Sequence, residues 1–210
     1  MSAPITAPLE AAARTDVDGR FEVAVARSLN ELMEVIAVRA IVYMGEQSCP
    51  FEEEIDGNDF AGATHLMLRA RGECVGTLRL RWFADFAKLE RVAIRVEHRG
   101  GPAARVLVGA AFDLAARKGY RHMIGHAQAR LVPFWRQYRA RPRRGRPSFT
   151  FSDHEYVEIE ADLPRPANVL SADADPIVLL RPEGDWDRPG VLDKSAGRPA
   201  TNPHRRRCVN

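Results

Sequence analysis

The chain has 210 residues, of which 45% are hydrophobic and 28% are charged, a composition typical of a globular protein with a substantial core. Lysine and arginine exceed aspartate and glutamate by only three, and the arginine clusters carry no interleaved aromatic residues, which argues against nucleic-acid binding. No apolar run approaches the roughly eighteen residues of a membrane span, and no leader pattern is present, so we expect a cytoplasmic protein without membrane contacts.

Composition divides the chain into three parts. Residues 1–19 are rich in Ala, Pro and Thr and are expected to be flexible, whereas residues 20–162 carry the periodic patterns of one folded domain. Residues 163–210 are dominated by Pro, Asp and Arg and are expected to form an extended, partly disordered tail. Three cysteines show neither metal-ligand spacing nor a disulfide framework, so we predict no metal site and a reducing compartment.

The domain is predicted to begin with a strand that leads into a helix. Residues 21–26 alternate between apolar and other side chains as a strand would. Ser28 and Glu31 have the spacing of a capping box, and apolar residues continue the helical period to Val42. The acidic segment 44–62 is broken by Pro and Gly and is predicted to be a loop or a short second helix.

The second half of the domain alternates between strand and helix patterns. In chain order we predict an antiparallel meander over 64–70, 74–83 and 88–96, a helix over 102–118, a strand over 122–127, a short helix over 131–138 and closing strands at 149–151 and 156–160. A strand, a helix and a further strand in succession imply a parallel crossover. Pro102 and Gly119 stand where a helix start and a helix end are expected.

A glycine-containing turn joins the last meander strand to the long helix. Unpaired N–H groups and the helix dipole make such a helix start a site for a phosphate group. The residues expected to contact a phosphate are Arg99, Gly100, Gly101, Ala103, Ala104 and Arg105. Pro102 lacks an N–H, so one donor is missing. The alternative is an ordinary strand, turn and helix within a core.

This order of elements resembles the GNAT superfamily of acyl-coenzyme A (acyl-CoA) dependent N-acyltransferases, over residues 21–162. The resemblance implies an α/β (α+β) fold, with a mixed, mostly antiparallel twisted sheet, about four flanking helices, and a parallel strand-helix-strand crossover at the acyl-CoA site. It implies that the strand holding Val92, Ala93 and Ile94 offers a backbone amide to the thioester carbonyl. In the family's pyrophosphate-binding turn, Arg/Gln-x-x-Gly-x-Gly/Ala, Arg99 and Ala104 match while Pro102 replaces the central glycine.

A second resemblance is to a bacterial GNAT subgroup with many members of unassigned substrate. It rests on Arg39, Val42, Glu46-Gln47, Pro50, Glu53-Glu54, Asp56-Gly57, Asp59, Ala63-Thr64-His65-Leu66, His126-Ala127-Gln128 and Phe134-Trp135. Where the superfamily commonly has a tyrosine that protonates the departing thiolate, this chain has Trp135. An indole N–H donates a hydrogen bond but no proton, so Trp135 is expected to contact the cofactor without serving as the acid.

Candidate catalytic residues follow from the needs of amine attack on a thioester. Glu90 is the candidate base, and its side chain is expected to share a face of its strand with Lys88 and Val92; a salt-bridged glutamate is the alternative. Tyr138 lies three residues after Trp135 and is the nearest substitute acid, unless it only packs in the core. His126 stands at the end of its strand and is a further candidate.

Candidate acceptor-binding residues lie in two segments. Glu46, Glu53 and Glu54 belong to the acidic segment, in which Glu53, Glu54 and Asp56 are expected to form an anionic rim that attracts a cationic amine; a solvated acidic loop is the alternative. His154 and Tyr156 lie near the closing strands and are candidates both for binding the acceptor and for the acid.

The sequence therefore predicts an enzyme that transfers an acetyl or other short acyl group from acyl-CoA to a small-molecule amine. One alternative is a synthase of the N-acyl amino acid or acyl-homoserine lactone type, whose acyl carrier protein would suit the arginines of 139–146. Another is a non-catalytic acyl-CoA-binding module. A homodimer is compatible with all three.

Overall fold

A computed structural model describes residues 14–15 and 19–199, which fall into two compact units. The larger unit spans residues 12–171 and carries the site described below. The predicted flexible segment 1–19 lies almost wholly outside the described residues, and the predicted domain boundaries stay predictions. In the part of the chain that is described, no helix has the length and apolar character needed to cross a bilayer.

The larger unit is built on one mixed sheet, which has nine strands among the described residues. The strands are β1 (Arg14–Thr15), β2 (Glu22–Val25), β3 (Thr64–Ala70), β4 (Glu73–Trp82), β5 (Ala87–Ile94), β6 (His122–Gln128), β7 (Arg141–Pro142), β8 (Phe149–Phe151) and β9 (His154–Asp162). Their order across the sheet is β1-β2-β3-β4-β5-β6-β9-β7, with β8 also paired to β9. Only β5 and β6 pair in parallel among these described strands, which confirms the predicted mostly antiparallel sheet with one parallel crossover.

Helices cover both faces of the sheet. They are α1 (Leu29–Arg39), α2 (Phe51–Glu54), α3 (Ala103–Arg117) and α4 (Val132–Trp135). The predicted capping box begins α1, since the Glu31 amide donates to Ser28 Oγ at 3.3 Å and the Ser28 amide to Glu31 Oε2 at 3.0 Å. The chain then continues as a π-helix over Ala40–Glu46, where the sequence predicts ordinary helix to Val42.

The hydrophobic core has one layer on each face of the sheet. On one face, residues of α1 and the π-helix pack against Met67 and Ala93. On the other face, Phe112 of α3 and Trp135 of α4 lie over Leu89. The amphipathic pattern that predicts α3 from the sequence thus matches a helix with one side pressed against the sheet.

A bulge in β5 changes the direction of the side chains along this strand. Arg91 has a left-handed backbone (φ 53°), and the pairing with β4 shifts register between Thr77 and Arg79. Because Arg79 pairs with Glu90 and Thr77 with Ala93, Glu90 shares its face with Ala93. The expectation that Glu90 shares a face with Val92 assumed a regular strand and is wrong at the bulge.

The parallel pair β5 and β6 separates soon after it forms. Only Ala87–Leu89 pair with Met123–Gly125. Beyond that point, residues 90–94 of β5 and 126–128 of β6 have no ladder between them, and this gap is called the strand cleft below.

The smaller unit, as far as it is described, runs from residue 172 to residue 199. It contains two short helices, α5 (Pro176–Leu179) and α6 (Val191–Ala196). Arg181 links its parts by donating to the Trp186 carbonyl (2.6 Å) and to Asp193 (2.8 Å). Residues 200–210, part of the predicted disordered tail, lie outside the described residues.

Candidate active site

The β5 wall of the strand cleft has its hydrogen-bonding backbone edge turned toward the gap. The Val92 carbonyl accepts a hydrogen bond from the Tyr43 hydroxyl (2.7 Å), and the Ile94 carbonyl accepts one from Arg99 Nε (2.7 Å). In an extended residue the N–H points to the same side as the C=O. The amides of Val92 and Ile94 therefore face the cleft, and their contact with a thioester carbonyl, which the resemblance implies, stays a prediction.

The glycine turn lies between the end of β5 and the start of α3. Gly100 has a left-handed backbone (φ 76°), which glycine adopts without strain, and α3 begins at Ala103 after Pro102. The amides of Ala103, Ala104 and Arg105 come before that of Val106, which makes the first intrahelical hydrogen bond, to the Pro102 carbonyl, and they are therefore the helix's free donors. Free backbone donors thus lie where the sequence predicts an anion site, without the Pro102 amide, and binding of a phosphate there stays a prediction.

Arg99 of this turn also contacts the opposite side of the site. Its Nη2 lies 2.6 Å from Glu46 Oε2 at the end of the π-helix. Arg99 is predicted to bind the acyl donor and Glu46 the acceptor, and the structure brings the two side chains together. One ion pair therefore ties the turn to the π-helix.

Trp135 is buried beside the point where the strands separate. It is 6% exposed and borders, with Leu89 and Gly125, a small cavity of about 10 Å³. Its Nε1–H has no hydrogen-bond partner among the described residues. A buried donor without a partner is costly in free energy, so this N–H fits a role in holding a bound group.

Tyr138 points its hydroxyl at α3 instead of the cleft. The hydroxyl donates to the Arg105 carbonyl at 3.0 Å, and the ring packs 5.0 Å from that of Phe112. Burial raises the pKa of Tyr138 to about 12. The hydrogen bond and the packing fix the first turn of α3 against the chain that follows α4.

Glu90 lies in the cleft wall but is held by two cations. Arg79 Nη2 is 2.7 Å from Glu90 Oε2, and Lys88 Nζ is 2.8 Å from Oε1. Burial alone would raise the pKa of Glu90, but Lys88 and Arg79 outweigh it and hold the pKa below its ordinary value. Glu90 is therefore ionised and engaged at neutral pH, as in the salt-bridged alternative.

His126 stands on β6 at the start of the cleft, partly open to solvent. Its Nε2 lies 3.4 Å from Glu158 Oε2 on β9, and its ring meets that of Phe149 edge to face at 5.0 Å. Burial and the nearby Lys88 lower the pKa of His126, although Glu158 opposes them. With its side chain 37% exposed, His126 is a reachable, neutral imidazole at pH 7.

The two predicted residues of the closing strands lie on the same side of the sheet as His126. Tyr156 pairs with Phe149 in the β8–β9 hairpin, and His154 pairs with Phe151. Gln128 donates through Nε2 to the Tyr156 hydroxyl (3.3 Å) and to Gln47 Oε1 (3.1 Å). The end of β6 is thereby joined both to the hairpin and to the segment after the π-helix.

The acidic segment mostly turns inward instead of forming a rim. Glu54 has no exposed surface and is paired with Arg39 and Arg91. Arg79, which is 1% exposed, contacts Asp56, Asp59 and Glu90. We call this set the buried ion network; its members are Arg39, Glu54, Asp56, Asp59, Arg79, Glu90 and Arg91. Of the predicted rim residues, Glu53 is exposed, Glu54 is buried, and Asp56 is paired with Arg79 and Arg91. Glu46, also predicted to bind the acceptor, is exposed.

The arginine-rich segment is folded back onto the sheet. Arg143 lies 2.8 Å from Glu158 and 3.2 Å from Glu160, and Arg146 lies 3.3 Å from Glu158. Arg141 pairs with Glu160 at 3.3 Å. The carboxylate that contacts His126 is thus itself held by arginines. Among the described residues, no group of His, Cys, Asp and Glu side chains could hold a metal ion.

A sequence model of the acetyltransferase (GNAT) family matches residues 31–139, which include most of α1, the strand cleft, the glycine turn and α4. The chain belongs to the GNAT family. It is accordingly an acyltransferase enzyme of the class that transfers acyl groups from acyl-CoA to amines. The family assignment confirms the resemblance identified from the sequence.

Individual relatives agree with the family assignment. The uncharacterized N-acetyltransferase YjcF of Bacillus subtilis (strain 168) is 30% identical over 114 residues, which is 54% of this chain and 81% of YjcF. An acyl-CoA N-acyltransferase from Pseudomonas aeruginosa superimposes with a TM-score of 0.62 at 23% identity, over 67% of this chain and 99% of its own. A GNAT acetyltransferase from Elizabethkingia anophelis, solved with acetyl-CoA bound, has a TM-score of 0.55 at 11% identity, over 69% and 99%.

Three residues of the site are absent from the sequence-based prediction. Glu158 contacts His126, Gln128 closes the end of β6, and Lys88 binds Glu90. Glu158 could have been found from strand alternation, because it is two residues from Tyr156 and therefore on the same face of β9. The contact between Glu158 and His126 could not have been predicted, since the register between β6 and β9 is set by tertiary packing.

Proposed function

We propose that this GNAT enzyme transfers a short acyl group from acyl-CoA to the primary amine of a small molecule, with His126 as the general base. The observation that carries this proposal is the position of His126, a partly exposed imidazole of lowered pKa at the start of the strand cleft. A general base works best when its pKa lies near or below the operating pH, so that it is unprotonated.

The donor side is supported by three groups of this chain. The free amides at the start of α3 would hold the pyrophosphate, and the Val92 and Ile94 amides would contact the acyl and pantetheine part. The Trp135 N–H would gain the partner that it lacks. Acyl-CoA would supply the activated thioester carbonyl.

On the acceptor side, His126 removes the proton that the amine must lose. Glu158 accepts a hydrogen bond from the Nε2–H of His126, which leaves the Nδ1 lone pair free to take a proton. As the amine nitrogen bonds to the carbonyl carbon, the carbon–sulfur bond breaks and its electron pair leaves on sulfur. The thiolate needs no acid of low pKa, because a thiol of pKa about 8.5 is a tolerable leaving group.

Glu90 supports the site without acting as its base. Its lone pairs are directed at Arg79 and Lys88, and its lowered pKa makes it a weak proton acceptor. The negative charge of Glu90 offsets the positive charge of Lys88 next to His126. A cationic amine that approaches His126 is therefore repelled less by Lys88 than it would be without Glu90.

The carrier-protein alternative gains no support from the arginine-rich segment. Arg141, Arg143 and Arg146 are paired with carboxylates of β9, which offsets part of the positive charge that the segment would present to an acidic partner. Acyl-CoA is accordingly the proposed donor.

Thiol release tests the proposal directly. The enzyme is incubated with acetyl-CoA and primary amines of different size, free thiol is measured with a thiol reagent, and the N-acetyl product is identified by mass spectrometry. We expect amine-dependent thiol release in a one-to-one ratio with product. Binding of acetyl-CoA without thiol release above the hydrolytic background for any amine would contradict the proposal.

The anion site at α3 gives a prediction in which stability and donor affinity change in opposite directions. Ala104→Glu places a carboxylate in the first turn of α3, where the helix dipole stabilises it by about 0.3–1 kcal/mol. The same carboxylate repels a pyrophosphate, so the KM for acetyl-CoA should rise by about tenfold. Thermal unfolding and donor titrations measure the two effects, and Ala104→Gln is the uncharged control. Equal KM values for the two variants would place the pyrophosphate elsewhere.

A further inference from the structure

An aromatic surface adjoins the proposed base. In the β8–β9 hairpin, Phe149 and Phe151 lie two residues apart on one face, and Tyr156 pairs with Phe149 on that same face. The Phe149 and Tyr156 rings stack at 6.0 Å with 22° between their planes, and Phe151 meets Tyr156 edge to face at 5.8 Å. We call these three residues the aromatic wall.

The aromatic wall continues directly into His126. The His126 and Phe149 ring centres are 5.0 Å apart, so a group that lies against Phe149 is within reach of the imidazole. Phe149 is 39% exposed, which leaves part of its ring open to solvent. The exposed part of a phenylalanine ring contributes nothing to stability, and burial by a bound apolar group would be favourable.

The charges around His126 do not favour a polycationic acceptor. Glu90 is paired with Arg79 and Lys88, and Glu158 with Arg143 and Arg146. Because every carboxylate named here already has a cationic partner, the acceptor's body is recognised mainly by apolar and aromatic contacts.

From this arrangement we infer that the acceptor is an arylalkylamine, a primary amine joined by a short chain to an aromatic ring that stacks on the aromatic wall. This inference rests on the proposed function and adds the class of its acceptor. The ring would lie against Phe149, and the short chain would bring the amine to His126. Aromatic pairs contribute beyond their apolar area, so an aromatic ring should be preferred over a saturated ring of the same size.

A matched pair of amines separates aromatic recognition from simple hydrophobicity. 2-Phenylethylamine and 2-cyclohexylethylamine have the same carbon skeleton and the same primary amine. We expect kcat/KM with acetyl-CoA to be about fivefold higher for 2-phenylethylamine, which is the effect of one favourable aromatic pair. In Phe149→Leu this ratio should fall to about one, and in Phe149→Tyr it should persist. Phe83→Leu, which removes a stacked ring from the β4–β5 turn, is the control and should keep the wild-type ratio.

Binding measured by calorimetry in the presence of CoA gives a second readout that needs no turnover. If the wild-type enzyme turned over and bound 2-phenylethylamine and 2-cyclohexylethylamine equally well, the inference would be overturned. Amine-dependent thiol release in the same experiment would still uphold the proposed function. A preference that survives in Phe149→Leu would also overturn it, because the ring would then bind elsewhere. Preferential binding of 2-phenylethylamine without thiol release from any amine would uphold the aromatic site and contradict the proposed function. Far-ultraviolet circular dichroism confirms that Phe149→Leu is folded.

Discussion

Replacing His126 by glutamine is expected to lower kcat/KM at pH 7.5 by about 10² to 10⁴-fold, the usual contribution of a positioned general base. Glutamine keeps a polar side chain that can donate to Glu158, 3.4 Å from Nε2 in the wild type, but it accepts no proton. The donor site contains none of these atoms, so the affinity for acetyl-CoA should stay within about twofold. Steady-state kinetics and a donor titration measure the two quantities.

The dependence of activity on pH tests the role of His126 as the base independently. His126 acts as a base only when it is unprotonated, so activity should rise as the pH increases through its pKa, which lies below the ordinary value of about 6.5. We therefore expect a plateau from about pH 7 upward and an acid limb below it, and His126→Gln should lack that limb. Glu158→Gln should move the limb to lower pH, because Glu158 raises the pKa of His126.

A nearby histidine supplies the control for these measurements. His122 lies on the same strand, is 62% exposed and pairs with Asp162 at the far end of β6. His122→Gln should retain wild-type activity and the acid limb. An acid limb that persists unchanged in His126→Gln would exclude His126 as the base, and Glu90 would then be the next candidate.

Replacing Arg79 by leucine is expected to lower the free energy of unfolding at pH 7 by about 3–5 kcal/mol. Arg79 is 1% exposed and contacts three carboxylates, those of Asp56, Asp59 and Glu90. Leucine would leave these charges without that partner in a poorly solvated part of the protein. Urea unfolding measures the change, and Arg81→Leu is the control, because Arg81 is on the same strand, is 26% exposed and lies 3.8 Å from Glu90.

The loss of unfolding free energy in Arg79→Leu should become smaller as the pH falls. Burial opposes ionisation of Asp59 and Glu90, yet their cationic neighbours hold the pKa of each below its ordinary value. Such groups stabilise the folded state above the unfolded pKa, near 4, and this contribution is lost as the pH falls through the folded pKa. The difference between Arg79→Leu and the wild type should therefore be largest near pH 7 and smaller below about pH 4. An equal difference at both pH values would show that lost packing, not lost pairing, is responsible.

Local patterns were sufficient to predict most of the elements. The Ser28 and Glu31 spacing, the apolar period of α3 and the glycine turn each depend on residues close in the chain, and each is present in the structure. The π-helix was not predicted, because its residues have no pattern that distinguishes it from the end of an α-helix. It is nevertheless important to the site, since it carries Tyr43 and Glu46 to the cleft.

Contacts between residues that are distant in sequence could not be predicted from such local patterns. The acidic segment looked like a solvent-exposed rim, because acidic residues are usually exposed, but Glu54 is buried beside Arg39. The match between the acidic segment and the arginines of α1, β4 and β5 becomes visible only when the sheet is assembled. The same holds for His126 and Glu158, which are brought together by the pairing of β6 with β9.

The bulge at Arg91 makes the length of β5 as important as its composition. In a regular strand the side chains alternate between the two faces, so Leu89 and Ala93, four residues apart, would point to the same face. Because β5 contains one extra residue at the bulge, Leu89 faces α3 while Ala93 faces α1. Removing the extra residue would leave a regular strand in which Leu89 and Ala93 keep their present faces and their present partners in β4. What would be lost is Arg91, whose left-handed backbone accommodates the bulge and whose guanidinium pairs with Glu54. The bulge thus gives β5 one side chain more than its pairing with β4 requires, and that side chain belongs to the buried ion network.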